Sequence, residues 1–490
     1  MAEQEQEAKG GVSRRKFLRN AGVVGAAGAA AAVGAAQVGA VTAQGPQGSC
    51  KSAGCDYDVI VIGGGFAGVT AARDSSANGY KTLLLEARNR LGGRTYSSEF
   101  AGHKVELGGT WIHWTQPFVW AEVERYGIQL KETPEHHVAG KDTLSVVHQG
   151  KRMELAGADL VSAVQGIYAY FADARKLWER PYDAHYTWKQ LTAVDSMSAA
   201  DRYAQLQLTP LQRTVVDAYI AGISHTTSDQ ASYADVLRWW ALPGWELSQF
   251  SDSLGRYTFK DGTISLINAM IADASPEVRL ATPVTQVQDK GDRVLVTTEQ
   301  GQTLVAGAVI VAVPMNVLPR INFSPALDPA LVEAAKQTHT GSGFKVFVRT
   351  RGKLPSEGKW TGIADSHQPL SLLTTYAKAE DHTLFACFGS DPAKLDFQDR
   401  DAVQTVFDSF FPGIEVETCY GYEWTLDPYA RGTYCSYRPN WLGKYYAHFQ
   451  QDRGRVIFGQ GDHGEGWRGF IDGAISAGGK AASRTRKLLG

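Results

Sequence analysis

One segment near the start of the chain constrains the fold more than any other. Residues 57–62 read YDVIVI, a β-branched apolar run of the kind that forms a buried parallel strand. Residues 63–68 follow at once as GGGFAG, a G-x-G-x-x-G pattern, and the spacing predicts a helix over residues 69–77. A second apolar run at 81–85 predicts the next parallel strand, which ends at Glu86. This order of elements predicts a dinucleotide-binding fold of the Rossmann type.

Each residue type in this pattern has a physical task. Gly63 permits a tight turn, Gly65 lets the backbone approach a pyrophosphate, and Gly68 allows close packing of helix on strand. The helix N-terminus contributes positive potential, and Glu86 accepts hydrogen bonds from a ribose. Because an acidic strand end favours a ribose with free hydroxyls, the pattern disfavours NADP.

Two further glycine pairs favour FAD over NAD. Residues 90–95 read RLGGRT, and residues 106–111 read ELGGTW. Paired glycines bring the backbone close to a flat, extended ligand, and the two arginines of the first segment suit phosphates. The sequence therefore predicts FAD as the cofactor.

Composition and cysteine placement argue against two other classes of function. The chain has 490 residues, enough for two to three domains at roughly 150 residues each. Asp and Glu number 51 against 49 Lys and Arg, and the net charge of −2 argues against a nucleic-acid partner. Cys50 and Cys55 either form a surface disulfide or have no function. No metal site is expected, because no zinc-like spacing surrounds the other cysteines, which are Cys387, Cys419 and Cys435.

The first fifty residues are typical of an export signal. Residues 13–18 read SRRKFL and precede an uncharged stretch of mainly Ala, Gly and Val over 21–50. Twin arginines before a weakly apolar segment predict a twin-arginine signal peptide, with cleavage after Ala43. We therefore expect a signal peptide over 1–43, a linker over 44–55, and a periplasmic protein exported by the twin-arginine machinery. The alternative is a disordered basic tail.

The dinucleotide motif and the arginine-glycine segment together resemble a known family. Residues 63–68, Glu86 and residues 90–94 are similar to the opening of flavin-dependent amine oxidases of the monoamine oxidase type. The resemblance continues along essentially all of the mature chain, and several long segments resemble the bacterial members of nicotine catabolism in particular. These segments are 108–117, 421–424, 427–428 and 466–474.

The resemblance implies an α/β fold with two interleaved parts. A Rossmann-type FAD-binding domain, like that of monoamine oxidase, is expected from residues 56–130, 265–345 and 450–490. An α+β substrate-binding domain is expected from residues 131–264 and 346–449. The first of these two insertions is expected to be largely helical, and it is rich in aromatic residues.

The resemblance also implies the catalytic residues. Lys345 matches the lysine that contacts the flavin N5 through a water, although a lone lysine in an apolar strand is more often an edge residue. Tyr434 and Phe470 match two aromatic side chains that stand on either side of the amine. Taken alone, either aromatic would equally suit core packing. The substrate contacts expected are Trp111, Trp114, Tyr219, Tyr434 and Phe470.

The cofactor contacts come from the same comparison of motifs. Val287 or Val284 is expected to hold the adenosine part through its backbone. Residues 458–462 read FGQGD where the family usually has Phe-Ala-Gly-Thr-Glu, so Asp462 replaces a glutamate that is one methylene longer. The FAD contacts expected are Gly63, Gly65, Phe66, Ala67, Gly68, Glu86, Ala87, Arg88, Gly93, Arg94, Gly109, Thr110, Trp111, Val284, Val287, Asp462 and Ile471.

FAD is expected to bind without a covalent bond. Animal monoamine oxidases tether it through a cysteine just before the cage tyrosine, and Thr433 occupies that position here. Cys435 would lie roughly 7 Å further along a strand, too far to replace that cysteine.

The reaction implied is hydride transfer from a secondary methylamine such as pseudooxynicotine to the flavin. Water would split the resulting iminium into an aldehyde, 3-succinoyl-semialdehyde-pyridine, and methylamine. The alternatives are another amine (nicotine, a primary amine, a polyamine or an L-amino acid) or a flavoprotein without turnover. Oxygen or a cytochrome is expected as the electron acceptor, and a homodimer is a family-level expectation.

Overall fold

The central strand of the larger sheet is β1 (Tyr57–Ile62), as the computed structural model shows. All its residues are buried, and it pairs in parallel with β2 (Thr82–Leu85) and with the strand Thr303–Val311. The helix α1 (Phe66–Ala77) connects β1 to β2, and it begins at Phe66 rather than at residue 69 because the extended backbone of Gly65 forms its N-cap. The predicted strand–loop–helix–strand unit is therefore present.

The structure describes residues 54–133, 142–352, 354 and 358–490. The predicted signal peptide and nearly all of the predicted linker lie outside these residues. The remaining strands are β3 (Ser97–Phe100), β4 (His103–Glu106), β5 (Leu130–Glu132), β6 (Thr143–His148), β7 (Lys151–Glu154), β8 (Tyr257–Phe259), β9 (Glu277–Arg279), β10 (Val284–Asp289), β11 (Val294–Thr298), β12 (Thr303–Val311), β13 (Asn322–Ser324), β14 (Phe344–Arg351), β15 (Trp360–Ala364), β16 (Leu372–Lys378), β17 (His382–Gly389), β18 (Val416–Gly421) and β19 (Val456–Phe458).

Helices cover both sheets and fill the first insertion. Two 3-10 helices, Met315–Arg320 and Gly461–His463, add to them. The remaining α-helices are α2 (Pro117–Tyr126), α3 (Gly157–Phe171), α4 (Ala174–Leu177), α5 (Trp188–Ala193), α6 (Ala199–Tyr203), α7 (Pro210–Ser224), α8 (Tyr233–Ala241), α9 (Leu247–Gly255), α10 (Thr263–Ala274), α11 (Pro329–Gln337), α12 (Arg400–Phe410), α13 (Trp441–Phe449) and α14 (Ile471–Leu489). None of these described helices is both long and apolar enough to cross a membrane.

Two large sheets organise the molecule. The first has the order β13-β10-β11-β12-β1-β2-β9, and β19 also pairs with β12. The second has the order β18-β14-β17-β16-β15-β6-β7 and is antiparallel except where β15 meets β6. This mixture of parallel and antiparallel sheets with covering helices confirms the predicted α/β class.

The predicted two-domain division corresponds to the two sheets only in part. The strands of the first sheet come from the stretches assigned to FAD binding, and those of the second come from the two insertions, except that β14 begins at Phe344. The described residues belong to one compact unit. The domain boundaries therefore stay a prediction.

The C-terminal helix α14 packs along α1 at very short range. A Cβ on Gly478 would lie 2.1 Å from the backbone carbonyl oxygen of Ala67, in the first turn of α1. Only a residue without a side chain allows the two helix backbones to approach this closely.

We predict that Gly478→Ala destabilises the protein, because the two helices must separate to admit the methyl group. Overpacking of this kind costs about 1–3 kcal/mol, which lowers the midpoint of thermal unfolding. The adjacent Gly479→Ala is the matched control, since its Cβ meets its nearest atom, an Asp74 carboxylate oxygen, at an ordinary 3.5 Å. That variant should gain about 0.5–1 kcal/mol from helix propensity. Equal loss of stability in both variants would contradict the packing argument.

Candidate active site

A cavity of about 890 Å³ opens at the carboxyl end of β1. Its lining begins at the glycine loop of residues 63–65, passes the glycine pairs at 92–93 and 108–109, and continues between the second sheet and the helices α3, α7 and α9. In parallel α/β sheets, ligands bind outside the carboxyl ends of the strands. The cavity therefore lies where the fold predicts a binding site.

Backbone rather than side chains forms the narrow end of the cavity. The amide of Gly92 donates to the carbonyl of Gly64 at 2.8 Å, which brings the second glycine segment against the first. Gly93 has a φ of +58°, and a Cβ there would lie 3.0 Å from the Cα of Gly65. Side chains at these positions would fill the cleft, so its walls suit a long polar ligand held by backbone groups.

Glu86 lies at the end of β2, where a ribose acceptor was predicted. Its carboxylate lines the cavity and accepts hydrogen bonds from the backbone N–H groups of Gly64, at 2.6 Å, and Arg88, at 2.8 Å. The Arg88 guanidinium in turn pairs with Asp427 at 2.7 Å. A carboxylate has about four lone-pair sites, so Glu86 keeps capacity for ribose hydroxyls while it orders the glycine loop.

A buried amide also faces this end of the cavity. Gln460 lines the cavity and is 1% exposed, and neither atom of its side-chain amide has a partner among the described residues. Buried polar groups in native proteins almost always have a partner, so this amide suits a polar ligand. The N-terminal residue of α14, Ile471, lies in the same lining and adds the positive end of a helix. Together with Glu86, these features fit FAD.

Most of the predicted FAD contacts line the cavity, and three do not. Gly68 lies behind the glycine loop, where a Cβ would be 1.8 Å from the carbonyl oxygen of Gly63, so it serves close packing. Val287 is buried in the hydrophobic core, whereas Val284 lines the cavity. Asp462 is fully buried and outside the lining. Those in the lining are Gly63, Gly65, Phe66, Ala67, Glu86, Ala87, Arg88, Gly93, Arg94, Gly109, Thr110, Trp111, Val284 and Ile471.

Asp462 acts as an internal partner. Its carboxylate pairs with the guanidinium of Arg94 and accepts from the backbone N–H of Met315 at 2.9 Å. Burial opposes its charged form, yet Arg94 is the largest of the influences that hold the pKa of Asp462 below its usual range. The residue therefore positions Arg94, whose other nitrogen donates to the carbonyl of Thr433 at 2.7 Å.

Lys345 is a buried residue of β14 and not an exposed edge lysine. Its side chain lines the cavity, and Nζ donates to the carbonyl of Gly108 and to the hydroxyl of Thr110. Burial lowers the pKa of Lys345 and the nearby charge of Glu106 opposes that shift. Burial likewise raises the pKa of Glu106. Because burial disfavours the charged form, the amino group of Lys345 can lose and regain a proton near neutral pH.

The two predicted aromatic walls both line the cavity. The Tyr434 hydroxyl donates to the carbonyl of Gly222 at 2.5 Å, and its ring stacks on His225 with centroids 4.8 Å apart. Phe470 is the N-cap residue of α14 and lies immediately before that helix. Trp239 packs against both walls, with ring centroids 5.5 Å from Tyr434 and 4.4 Å from Phe470. The structure thus brings an aromatic cluster to one side of the cavity.

His225 is a site residue that the sequence analysis missed. Its ring lines the cavity, and Nδ1 lies 2.9 Å from the Thr433 hydroxyl while Nε2 lies 3.2 Å from the carbonyl of Phe344. Burial lowers the pKa of His225 to about 4, so the ring is neutral at pH 7. A single histidine just after a helix forms no sequence pattern that predicts a position in a binding site.

The predicted substrate contacts differ in position. Trp111 and Tyr219 line the cavity. Trp114 does not, because its side chain is 42% exposed and packs on His113 and Tyr257 at the surface. The far half of the cavity is mainly apolar, with side chains that include Leu144, Leu155, Ile167, Val215, Leu247, Ile363 and Leu372, whereas Phe388 lies beside Lys345.

A polar pair interrupts this apolar half. Thr361 and Thr374 face each other across β15 and β16, and their hydroxyls lie 3.4 Å apart in the lining. Within the described parts of the chain, no group of three or more His, Cys, Asp or Glu residues could hold a metal ion. Thr361 and Thr374 therefore offer hydroxyl groups to a ligand beside apolar walls.

Comparisons with known proteins agree with this site. The model of a family described as flavin containing amine oxidoreductase matches residues 66–485. Pseudooxynicotine dehydrogenase from Pseudomonas sp is 42% identical over 96% of this chain and 95% of that protein. Nicotine dehydrogenase from Pseudomonas putida (strain DSM 28022 / S16) is 35% identical over 98% of each chain. The solved structure of cyclohexylamine oxidase from Brevibacterium oxydans IH-35A has a TM-score of 0.75 at 19% identity, covering 89% of this chain and 99% of its own.

We predict that acid precipitation releases intact FAD into the supernatant. Among the described residues no cysteine lines the cavity, and both ring nitrogens of His225 already have partners. Absorbance of the supernatant and of the redissolved pellet measures the distribution. Flavin that stays with the washed pellet would show a covalent bond and contradict the prediction.

Proposed function

Because the chain belongs to the flavin containing amine oxidoreductase family, we propose that it oxidises a secondary methylamine and that pseudooxynicotine is the substrate. Family membership confirms the predicted enzyme class, an FAD-dependent oxidoreductase that acts on amines. The names of the relatives at 42% and 35% identity support a place in nicotine catabolism. When bound, FAD supplies an acceptor for the two electrons that leave the carbon next to nitrogen.

The continuity of the cavity is the observation that carries this proposal. One space runs from the glycine loop past Lys345 to Tyr434 and Phe470, and then into the apolar half between α7 and β15. A substrate in the apolar half therefore has its amine end directed toward the aromatic walls and the lysine. Position and orientation of this kind supply much of the rate in a reaction that needs no strong side-chain base.

The walls also favour the reactive form of the amine. Oxidation requires the nitrogen lone pair, so the amine must lose its proton before it reacts. Desolvation between Tyr434, Phe470 and Trp239 disfavours an ammonium ion relative to the free amine. The rings also exclude water from the reacting carbon.

The far half of the cavity suits an aromatic ring with a hydrogen-bond acceptor. Leu372 and Ile363 supply apolar contact beside the hydroxyl pair of Thr361 and Thr374. A pyridine nitrogen or a ketone oxygen can accept from such hydroxyls. These features support pseudooxynicotine, whose proposed products after hydrolysis of the iminium are 3-succinoyl-semialdehyde-pyridine and methylamine.

The L-amino acid alternative lacks its expected anchor. A substrate carboxylate needs a guanidinium, and Arg238 and Arg256 are two arginines of the insertion 131–264 that could supply one. Arg238 is buried outside the lining and bound to Asp235, while Arg256 pairs with Asp252 at the surface. Neither residue is available to a ligand in the cavity.

Two further parts of the proposal concern the route of electrons and the compartment. The names of two relatives as dehydrogenases support an acceptor other than oxygen, and a cytochrome-type carrier is one such acceptor. The twin arginines Arg14 and Arg15 support export to the periplasm, where such carriers occur.

We predict that anaerobic mixing with pseudooxynicotine bleaches the flavin absorbance faster than mixing with nicotine, a polyamine or an L-amino acid. The aldehyde and methylamine should appear by mass spectrometry, and the reduced enzyme should then pass electrons to cytochrome c faster than to oxygen. Tyr434→Phe, which keeps the ring, is the control for Tyr434→Ala, which should slow flavin reduction about tenfold or more by removing a wall. Faster bleaching by another amine would contradict the substrate, and persistent yellow colour with every amine would contradict the function.

We predict that the double substitution Arg14→Lys and Arg15→Lys retains the protein in the cytoplasm. The twin-arginine route reads the paired guanidinium groups, and lysine keeps the charge without the planar fork. Cell fractionation followed by immunoblotting measures the distribution, with Lys16→Arg as the matched control. Periplasmic protein at the unmodified level in the double variant would exclude this export route.

A further inference from the structure

The helix α8 stands directly behind the aromatic walls. Its residue Trp239 lines the cavity and packs on both Tyr434 and Phe470. The two walls come from segments that are remote from α8 in the sequence. The arrangement of all three rings therefore depends on how those two segments are attached to this helix.

A buried carboxylate on α8 provides the attachment. Asp235 is 1% exposed and accepts from Nε of Arg238 at 3.1 Å, three residues further along the helix. It also pairs with the guanidinium of Arg468, which lies over the ring of Tyr437 with 3.5 Å to the centroid. None of these groups lines the cavity, so they act from behind its wall.

The first attachment holds the segment of Tyr434. The backbone N–H of Tyr437 donates to Asp235 at 2.9 Å, and the carbonyl of Tyr437 accepts from the N–H of Ser232 at 3.0 Å. Ser232 is the N-cap residue of α8. Two hydrogen bonds thus join Tyr437, which is three residues after Tyr434, to the start of α8.

The second attachment holds the segment of Phe470. Arg468 pairs with Asp235, and Arg238 donates to the carbonyls of Gly466 and Arg468, the latter at 3.4 Å. These contacts lie within four residues of the wall. The same carboxylate is therefore bound, directly or through an arginine, to both wall segments.

The charges of this group make the carboxylate indispensable. One carboxylate is paired with two guanidinium groups that are each buried from water. Burial opposes the charge of Asp235, but Arg468 and then Arg238 hold the pKa of Asp235 below its usual range. Buried charges persist only when they are paired, so loss of this acid would release both arginines from their places.

We propose that Asp235 is a positioning residue for amine oxidation, because it sets the spacing between Tyr434 and Phe470. This inference rests on the proposed function, since it assigns a purpose to the spacing of the walls. An amine is oxidised at a useful rate only when its carbon is oriented within a narrow range, and the walls supply that orientation. Asp235 does not line the cavity and acts through the two segments.

The test is Asp235→Asn, which keeps the size and one acceptor oxygen and removes the charge. We expect the rate constant of flavin reduction at saturating amine to fall about tenfold or more, while the dissociation constant of FAD stays unchanged. The matched control is Asp217→Asn on α7, since Asp217 is a buried acid that accepts from the Tyr203 hydroxyl at 2.7 Å and does not line the cavity. A reduction rate equal to that of the control would overturn the proposal.

A second variant keeps the test decisive if Asp235→Asn does not fold. Arg468→Met leaves the Asp235–Arg238 pair neutral and removes the direct link to the Phe470 segment, so it should fold and slow flavin reduction. Arg468→Lys should restore part of the rate, because it returns the charge. Unmodified reduction rates in Arg468→Met would overturn the proposal.

A structural readout separates failure of this inference from failure of the proposed function. If no amine reduces the unmodified enzyme, the proposed function fails, and a crystal structure of the Arg468→Met variant then decides the inference. Displacement of the Phe470 ring relative to Tyr434 supports the positioning role. Rings in unmodified positions overturn it.

Discussion

Close approach of backbone to backbone is the constraint on which the rest of the structure depends. The cleft at the end of β1 exists because glycines at 63–65, 92–93 and 108–109 place no side chains in it. The same requirement recurs where α14 crosses α1 at Gly478. A dinucleotide is long and thin, so only a cleft lined by backbone groups can hold it along most of its length. The glycines therefore decide where cofactor, lysine and aromatic walls can meet.

Paired charges then hold these segments in place. Arg94 with Asp462 and Arg88 with Asp427 each join residues far apart in the chain. Breaking such a buried pair typically costs about 3–5 kcal/mol, because one charge is left without compensation. Charged pairs in this molecule thus serve to define the geometry of the site, whereas apolar burial in clusters that combine the sheets with the helices supplies most of the stability.

The sequence predicted the cofactor end of the site well and the substrate end less well. The unit from β1 to Glu86 follows from local signals, since the strand, glycine loop and helix are contiguous and each has its own pattern. The role of Lys345 was predicted from the resemblance to flavin-dependent amine oxidases, because its apolar sequence neighbours alone suggest an edge residue. Trp114 was expected beside Trp111 near the ligand, but it lies at the start of a turn on the surface. The contacts of His225 and Asp235 join residues more than 200 positions apart, which no local pattern reveals.

Phe470 has two structural roles. It is a wall of the cavity, and it is also the N-cap residue of the 19-residue helix α14, which packs on α1. A substitution of Phe470 itself would therefore alter both the wall and the start of this helix. We expect changes in substrate preference at the other end of the cavity, where Thr361 and Thr374 line it from β15 and β16. Proteins with this fold should therefore differ in the amine that they oxidise and share the same oxidation reaction.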